Sequence, residues 1–132
     1  MLRILIIVPA LNEESSLPGV LRDLRANMPD GEILVIDDGS RDRTAHVASE
    51  AGVPVVRLPF NLGIRGAVQT GYRYAQQNSY DIAIQFDGDG QHLASEIPAL
   101  LGPIAEGKAD IVVGSRFLDP GEYSPTIFRK AG

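Results

Sequence analysis

The sequence predicts an α/β domain of doubly wound type, a mostly parallel sheet flanked by helices. Three observations carry that reading. Short β-branched apolar runs alternate with stretches whose apolar residues recur at helical spacing. The first run, Ile4-Leu5-Ile6-Ile7-Val8, is apolar on both faces, as a central parallel strand covered by helices must be. Acids and glycines collect just after the strands, at the edge where sheets of this class bind ligands. The 132 residues suffice for one compact domain with a single core. No internal repeat, low-complexity tract or linker interrupts them.

The elements follow in order. The strand over residues 4–8 stops at Pro9, which has no N–H to give a ladder. Leu17, Val20, Leu21, Leu24 and Met28 then repeat at helical spacing, with Ser15 or Ser16 as the cap and Pro18 accommodated in the first turn. Residues 32–36 read as a second strand. Ser40 or Asp42 caps a helix that runs through Ala51 and ends at Gly52. Residues 53–58 make a third strand, and a helix over 63–77 carries Val68, Gly71 and Ala75 on one face. Residues 81–86 are a fourth strand. Ser95 caps a helix with Ile97, Leu100, Leu101 and Ile104 inward, ended by Gly107, and residues 110–113 are a fifth strand. Right-handed crossovers join the strands.

Beyond Arg116 the alternation stops. Pro120, Gly121 and Pro125 mark a loop, and Phe128-Arg129-Lys130 reads as the beginning of a helix with nothing to pack against. That pattern predicts a piece truncated at its C-terminal side, with further elements of the domain beyond Gly132.

Composition narrows the chemistry. Hydrophobic residues are 44% and charged residues 22%, ordinary for a globular protein. A net charge of -5 argues against a nucleic-acid partner. An acidic chain that handles phosphates needs local basic residues or a divalent cation. The absence of cysteine excludes disulfides, thiolate metal sites and Cys nucleophiles, and suits a reducing cytoplasm. Two histidines cannot build a His-rich zinc site; His46 and His92 read as helix-surface and loop residues. The longest apolar run, residues 4–11, is far short of the ~20 residues that span a bilayer. No signal-peptide cleavage site follows it.

The sharpest chemical signal is Phe86-Asp87-Gly88-Asp89-Gly90-Gln91. Residues two apart at the end of a strand point to one side, so Asp87 and Asp89 present their carboxylates together. Two such groups at close range favour a cation between them. Mg²⁺ is typically held by one or two carboxylates plus substrate phosphate oxygens, and the Gln91 amide oxygen would complete the set. The bland alternative is a solvated Asp-Gly turn.

Other loops offer weaker signals with open alternatives. In Asp37-Asp38-Gly39-Ser40 a carboxylate can accept a base N–H or ribose hydroxyls, or simply favour the dipole of the next helix. Asn12 and Glu13 can hydrogen-bond a nucleobase or cap a helix. Residues 61–67 open a helix whose N–H groups can take phosphate, or form a tight turn against the sheet. Arg116, with Arg129 and Lys130, can grip phosphate bidentately or pair with an acid. Neither Gly-x-Gly-x-x-Gly after the first strand nor a P-loop signature occurs, which disfavours a Rossmann dehydrogenase and a P-loop enzyme.

Together, Val8-Pro9-Ala10-Leu11-Asn12-Glu13-Glu14, Val35-Ile36-Asp37-Asp38-Gly39-Ser40, Asn61-Leu62-Gly63 through Gly66-Ala67, Asp87-Gly88-Asp89-Gly90-Gln91-His92 and Gly114-Ser115-Arg116-Phe117 resemble the family-2 glycosyltransferases of GT-A fold. The similarity is greatest to the dolichyl- or polyprenyl-phosphate sugar synthases and covers nearly the whole chain. It implies a nucleotide site formed by Pro9, Ala10, Leu11, Asn12, Glu13, Ile36, Asp37, Asp38, Gly66, Asp87 and Gly88. It implies Mg²⁺ or Mn²⁺ on Asp87, Asp89 and Gln91, catalytic roles for Asp89 and Arg116, and an acceptor phosphate facing Arg116 and Arg129. The implied partners are a UDP- or GDP-linked sugar and a lipid phosphate, with peripheral membrane contact through elements beyond Gly132. One departure stands out: Arg65 occupies a position where relatives often carry a small residue.

The expected chemistry is inverting transfer, with the metal stabilising the departing diphosphate. An anionic phosphate acceptor needs orientation by arginines, not a general base; a hydroxyl acceptor would need one, and none is evident. The alternatives are a sugar-phosphate nucleotidylyltransferase, a phospho-acceptor signalling domain and a module that binds nucleotide sugar without turnover. The first would want a Gly-rich, Arg-containing loop after the first strand. The second would want paired acids there, an acceptor Asp after the third strand and a Lys after the fifth, where this chain has Pro9, Pro59 and Arg116.

Overall fold

The structure is a computed structural model that describes residues 3–87 and the backbones of two further strands, Ile111–Val113 and Thr126–Arg129. In chain order the elements are β1 (Ile4–Ala10), α1 (Leu17–Asn27), β2 (Glu32–Asp37), α2 (Thr44–Glu50), β3 (Val55–Arg57), α3 (Gly63–Gln77), β4 (Ile82–Gln85), β5 (Ile111–Val113) and β6 (Thr126–Arg129). The helix expected from Ser95 to Gly107 lies outside the described residues.

The strands form one sheet in the order β3-β2-β1-β4-β6-β5. β1 pairs in parallel with β2 on one side and β4 on the other, and β2 pairs in parallel with β3. The chain therefore winds outward from β1 to the β3 edge, then crosses back to begin the other half at β4. This reversal makes a switch point between β1 and β4, where the connections leave to opposite sides and open a crevice.

One expectation is corrected at the C-terminal end. Phe128-Arg129-Lys130 does not begin a helix. Residues 126–129 form β6, antiparallel to β4 with Ala83 opposite Phe128, and antiparallel to β5 with Val112 opposite Ile127. The reason is local as well as tertiary. Thr126, Ile127 and Phe128 are β-branched or aromatic and favour a pleated strand, and the gap between β4 and β5 offers ladder partners on both sides. All five anticipated strands still share one direction; the sixth is inserted between two of them and runs against them.

Strand periodicity sorts the core into two layers. Ile6, Val8 and Ala10 of β1 join Leu17, Val20, Leu21 and Leu24 of α1, with Ala48 of α2, on one face. Leu5 and Ile7 join Leu34, Ile36, Ala67 and Ala75 on the other, beneath α3. Alternate residues of β1 thus enter alternate cores. α3 lies close to the sheet because position 71 is glycine: a Cβ there would stand 2.4 Å from Ile7 Cγ2.

The start of α1 departs from the anticipated cap, whereas Asp42 Oδ1 accepts from Thr44 N–H at 2.9 Å at the start of α2. Ser16 stands at the start of α1 but makes no side-chain bond to the helix amides; its hydroxyl donates to Glu13 Oε2 at 2.8 Å instead. α2 ends as expected. Gly52 takes φ +77, its N–H bonds Ser49 O at 3.0 Å, and Val53 N–H bonds Ala48 O at 3.1 Å. This is the paired-bond stop that favours glycine. It consumes Val53 and shortens the anticipated third strand to Val55–Arg57.

Candidate active site

The carboxyl ends of β1, β2 and β4 and the start of α3 enclose a cleft of about 280 Å³. Its walls are Pro9, Ala10, Leu11 and Glu13 from the first strand and its loop, Asp38 after β2, Asn61, Gly63 and Ile64 at α3, and Asp87 after β4. Residues anticipated from four separate motifs thus converge at the switch point. Asn61, Gly63 and Ile64 belong to the helix opening for which phosphate contact and a tight turn were both open readings. The Asn-x-Gly opening of the third helix was the available signal, but spacing alone leaves a tight turn equally open.

The adjacent acids of the second motif divide their work. Asp37 is 2% exposed and closes its own turn, Oδ1 accepting from Ser40 N–H at 2.9 Å, while Oδ2 lies 3.7 Å from Arg57 Nε. Asp38 is 3% exposed and reaches across to α3, where it accepts from Leu62 N–H at 2.7 Å and Gly63 N–H at 3.0 Å. Those amides are the leading donors of the helix. The carboxylate occupies the place anticipated for phosphate, because a buried acid and unpaired amides satisfy each other. The crossing requires Gly39. It sits at φ +78, and a Cβ there would lie 2.8 Å from Asn61 N and Phe60 C.

Asn12, Ile36 and Gly66, like Asp37, were anticipated nucleotide contacts and do not line the cleft. Asn12, at φ +54, accepts at Oδ1 from Arg41 N–H at 2.8 Å. Ile36 is fully buried beneath α3. Gly66 packs inside α3, where a Cβ would meet Leu62 Cβ at 2.6 Å. Arg65 is exposed in the first turn of that helix. At the tip of β4, Gln85 Nε2 donates to Asp87 Oδ1 at 3.1 Å, which orients the carboxylate at the cleft wall.

Gly88, Asp89, Gln91 and Arg116 lie outside the described residues, as does the side chain of Arg129, whose backbone belongs to β6. Among the described residues no three His, Cys, Asp or Glu side chains gather as a metal set. The donors in question are carboxylate and carboxamide oxygens, a set that suits a hard divalent ion, and Asp87 is the described member.

A family model described as "Glycosyl transferase family 2" matches residues 5–130. The chain belongs to that family. Family-2 relatives include the undecaprenyl-phosphate mannosyltransferase of Micrococcus luteus, 35% identical over 126 residues, which cover 92% of this chain and 51% of the relative. The UDP-N-acetylglucosamine–dolichyl-phosphate N-acetylglucosaminyltransferase of Methanococcus voltae is 33% identical over 137 residues, covering 91% of this chain and 54% of the relative. The chain spans about half the length of these proteins. Among solved structures, glucosyl-3-phosphoglycerate synthase from Mycobacterium tuberculosis in complex with UDP superposes with a TM-score of 0.66 at 27% identity, covering 83% of this chain and 42% of that one. The same enzyme with Mn²⁺, UDP-glucose and phosphoglyceric acid gives a TM-score of 0.64 at 27% identity, over 80% and 40% of the two chains. The GT-A fold expected for a family-2 glycosyltransferase is the fold found, and this family of transferases sets aside the nucleotidylyltransferase and signalling-domain alternatives.

Proposed function

We propose that the chain is the sugar-nucleotide-binding part of an inverting, metal-dependent glycosyltransferase whose acceptor is a polyprenyl or dolichyl phosphate. The observation that supports this reading is the cleft itself. An apolar wall of Pro9, Leu11 and Ile64 and a set of carboxylates from Glu13, Asp38 and Asp87 share one crevice at the switch point of the sheet. The apolar wall suits a base face, while carboxylates suit base N–H and ribose hydroxyl donors and a cation that offsets diphosphate charge. The names of the relatives add the acceptor class: undecaprenyl phosphate in one and dolichyl phosphate in another.

In this reading Pro9, Ala10, Leu11 and Glu13 pack against the base and ribose, and Asp38 holds the start of α3 at its distance from β2. Asp87, with Asp89 and Gln91, would hold Mg²⁺ or Mn²⁺. The metal would supply Lewis-acid stabilisation of the departing diphosphate. Arg116 and Arg129 would orient the acceptor phosphate, which is already anionic and attacks without a general base. No helix among the described residues is long and apolar enough to cross a membrane. In this reading the whole protein works at the cytoplasmic face of the membrane as a peripheral partner of its lipid-phosphate acceptor.

Calorimetric titration with UDP- and GDP-sugars, with and without Mn²⁺, tests the reading. One nucleotide class should bind more tightly with the metal, and Asp89→Ala should abolish that metal-dependent increment. Equal binding with and without Mn²⁺ in the unaltered chain would overturn the metal assignment. No binding of either class would overturn the nucleotide site.

A further inference from the structure

Residues 11–14, which give Leu11 and Glu13 to the cleft wall, are held by side chains of a neighbouring loop as well as by the backbone bond from Leu17 N–H to Glu13 O at 2.9 Å. Three successive amides donate to side chains of the following βα loop. Asn12 N–H bonds Ser40 Oγ at 2.9 Å, Glu13 N–H bonds Thr44 Oγ1 at 2.9 Å, and Glu14 N–H bonds Asp42 Oδ2 at 3.2 Å. A fourth bond returns the other way, from Arg41 N–H to Asn12 Oδ1 at 2.8 Å. Asn12 itself sits at φ +54, a left-handed conformation that asparagine tolerates better than most non-glycine residues.

Thr44 is the centre of this brace. It is the first residue of α2 and is fully buried. Its hydroxyl accepts from Glu13 N–H and donates to Asp42 Oδ1, and its own N–H bonds the same oxygen at 2.9 Å. Asp42 therefore serves both loops at once, capping α2 through Oδ1 and catching Glu14 through Oδ2. We propose that Thr44, oriented by Asp42, is a positioning residue for nucleotide binding: it fixes the backbone of Glu13, and with it Leu11 and the Glu13 carboxylate, at the cleft wall.

This rests on the reading of the cleft as a nucleotide site and extends it to residues that touch no ligand. A contact residue on an irregular loop is only as well placed as the layer behind it. Here that layer is built from the hydroxyls of Ser40 and Thr44 and the carboxylate of Asp42, between β2 and the first turn of α2. Sequence position gives Ser40, Asp42 and Thr44 to one helix start, whereas the geometry gives their polar atoms to the neighbouring loop.

Thr44→Val keeps the shape and removes the hydroxyl, while Thr44→Ser keeps the hydroxyl. With UDP and GDP as probes, each titrated with Mn²⁺, Thr44→Val should weaken binding of the nucleotide that the unaltered chain prefers by about 5- to 10-fold, the scale of one lost buried hydrogen bond. Thr44→Ser should restore it to within about 2-fold. Hydrogen exchange should quicken at the amides of Asn12, Glu13 and Glu14 in Thr44→Val while α3 amides keep their protection. Ser40→Ala, on the loop rather than in the core, should give the same local exchange with a smaller affinity loss, and serves as the reporter if Thr44→Val does not fold. A lowered melting temperature with unchanged affinity and unchanged exchange at residues 12–14 would show that Thr44 only stabilises α2 and would overturn the proposal alone. Failure of the unaltered chain to bind either nucleotide would overturn the reading beneath it as well.

Discussion

The turn after β2 and the turn after β4 look alike in sequence, each an acid-and-glycine cluster closing an apolar strand, yet the fold treats them differently. After β2, both carboxylates are buried and answer to the protein: Asp37 closes its own turn beside Arg57, and Asp38 ties the start of α3. After β4, Asp87 accepts from Gln85 Nε2 and forms part of the cleft wall. The first cluster builds the crevice and the second furnishes it. An acid near a ligand edge can be scaffold or contact, and its hydrogen-bond partners decide which.

The largest effect should come from the glycine that lets Asp38 cross. Gly39→Ala combines a left-handed φ with a Cβ 2.8 Å from backbone atoms of residues 60 and 61, and should cost about 3 kcal/mol in chemical denaturation. Next, Asp38→Ala leaves the Leu62 amide without its acceptor and takes one of two from Gly63, whose N–H also bonds Asn61 Oδ1 at 2.8 Å, and should destabilise by about 2 kcal/mol. Asp38→Asn, which keeps one acceptor oxygen, should cost roughly half of that. If the β4 turn is different in kind, Asp87→Ala should change stability by less than about 1 kcal/mol and yet remove the Mn²⁺-dependent part of nucleotide binding. A stability loss for Asp87→Ala as large as that for Asp38→Ala would erase the contrast between the turns.

The smallest effect is a matter of pH. Partial burial opposes ionisation of Asp42, but hydrogen bonds from Thr44 and from the Glu14 amide outweigh it and hold the carboxyl below its ordinary value of 3.8. A depressed folded-state pKa stabilises the protein above the unfolded value, and that contribution disappears as pH falls through the folded one. Denaturation midpoints of the unaltered protein and Asp42→Asn should therefore differ at pH 7 and converge as the pH is taken below about 3.8. A gap that stays constant to pH 2 would show that ionisation of Asp42 contributes nothing.

Much of the fold was legible from residue order. Short apolar runs located β1, β2 and β4, and the third helix begins and ends where its spacing said, at Gly63 and Gln77. Short elements were harder. Residues 126–128 are too few to declare a period, and only the open side of β4 makes them a strand. Ser16 was a plausible cap by position, but Glu13 folds back within reach of its hydroxyl and takes the bond.

The site divides in the same way. Pro9, Ala10, Leu11, Glu13, Asp38 and Asp87 were marked by their place just past a strand, and a parallel sheet necessarily gathers such places at one edge. Asn12 and Asp37 carry the same mark and do not line the cleft, because a side chain's direction depends on the partners it meets in the fold. The chain by itself determined which residue types stand after which strands, since apolar periodicity is a local property. Only the tertiary structure decided whether each polar group faces a ligand or another loop. A buried carboxylate, hydroxyl or amide must find a partner wherever the packed chain brings one, and for Asp38 and Thr44 those partners lie 24 and 31 residues away.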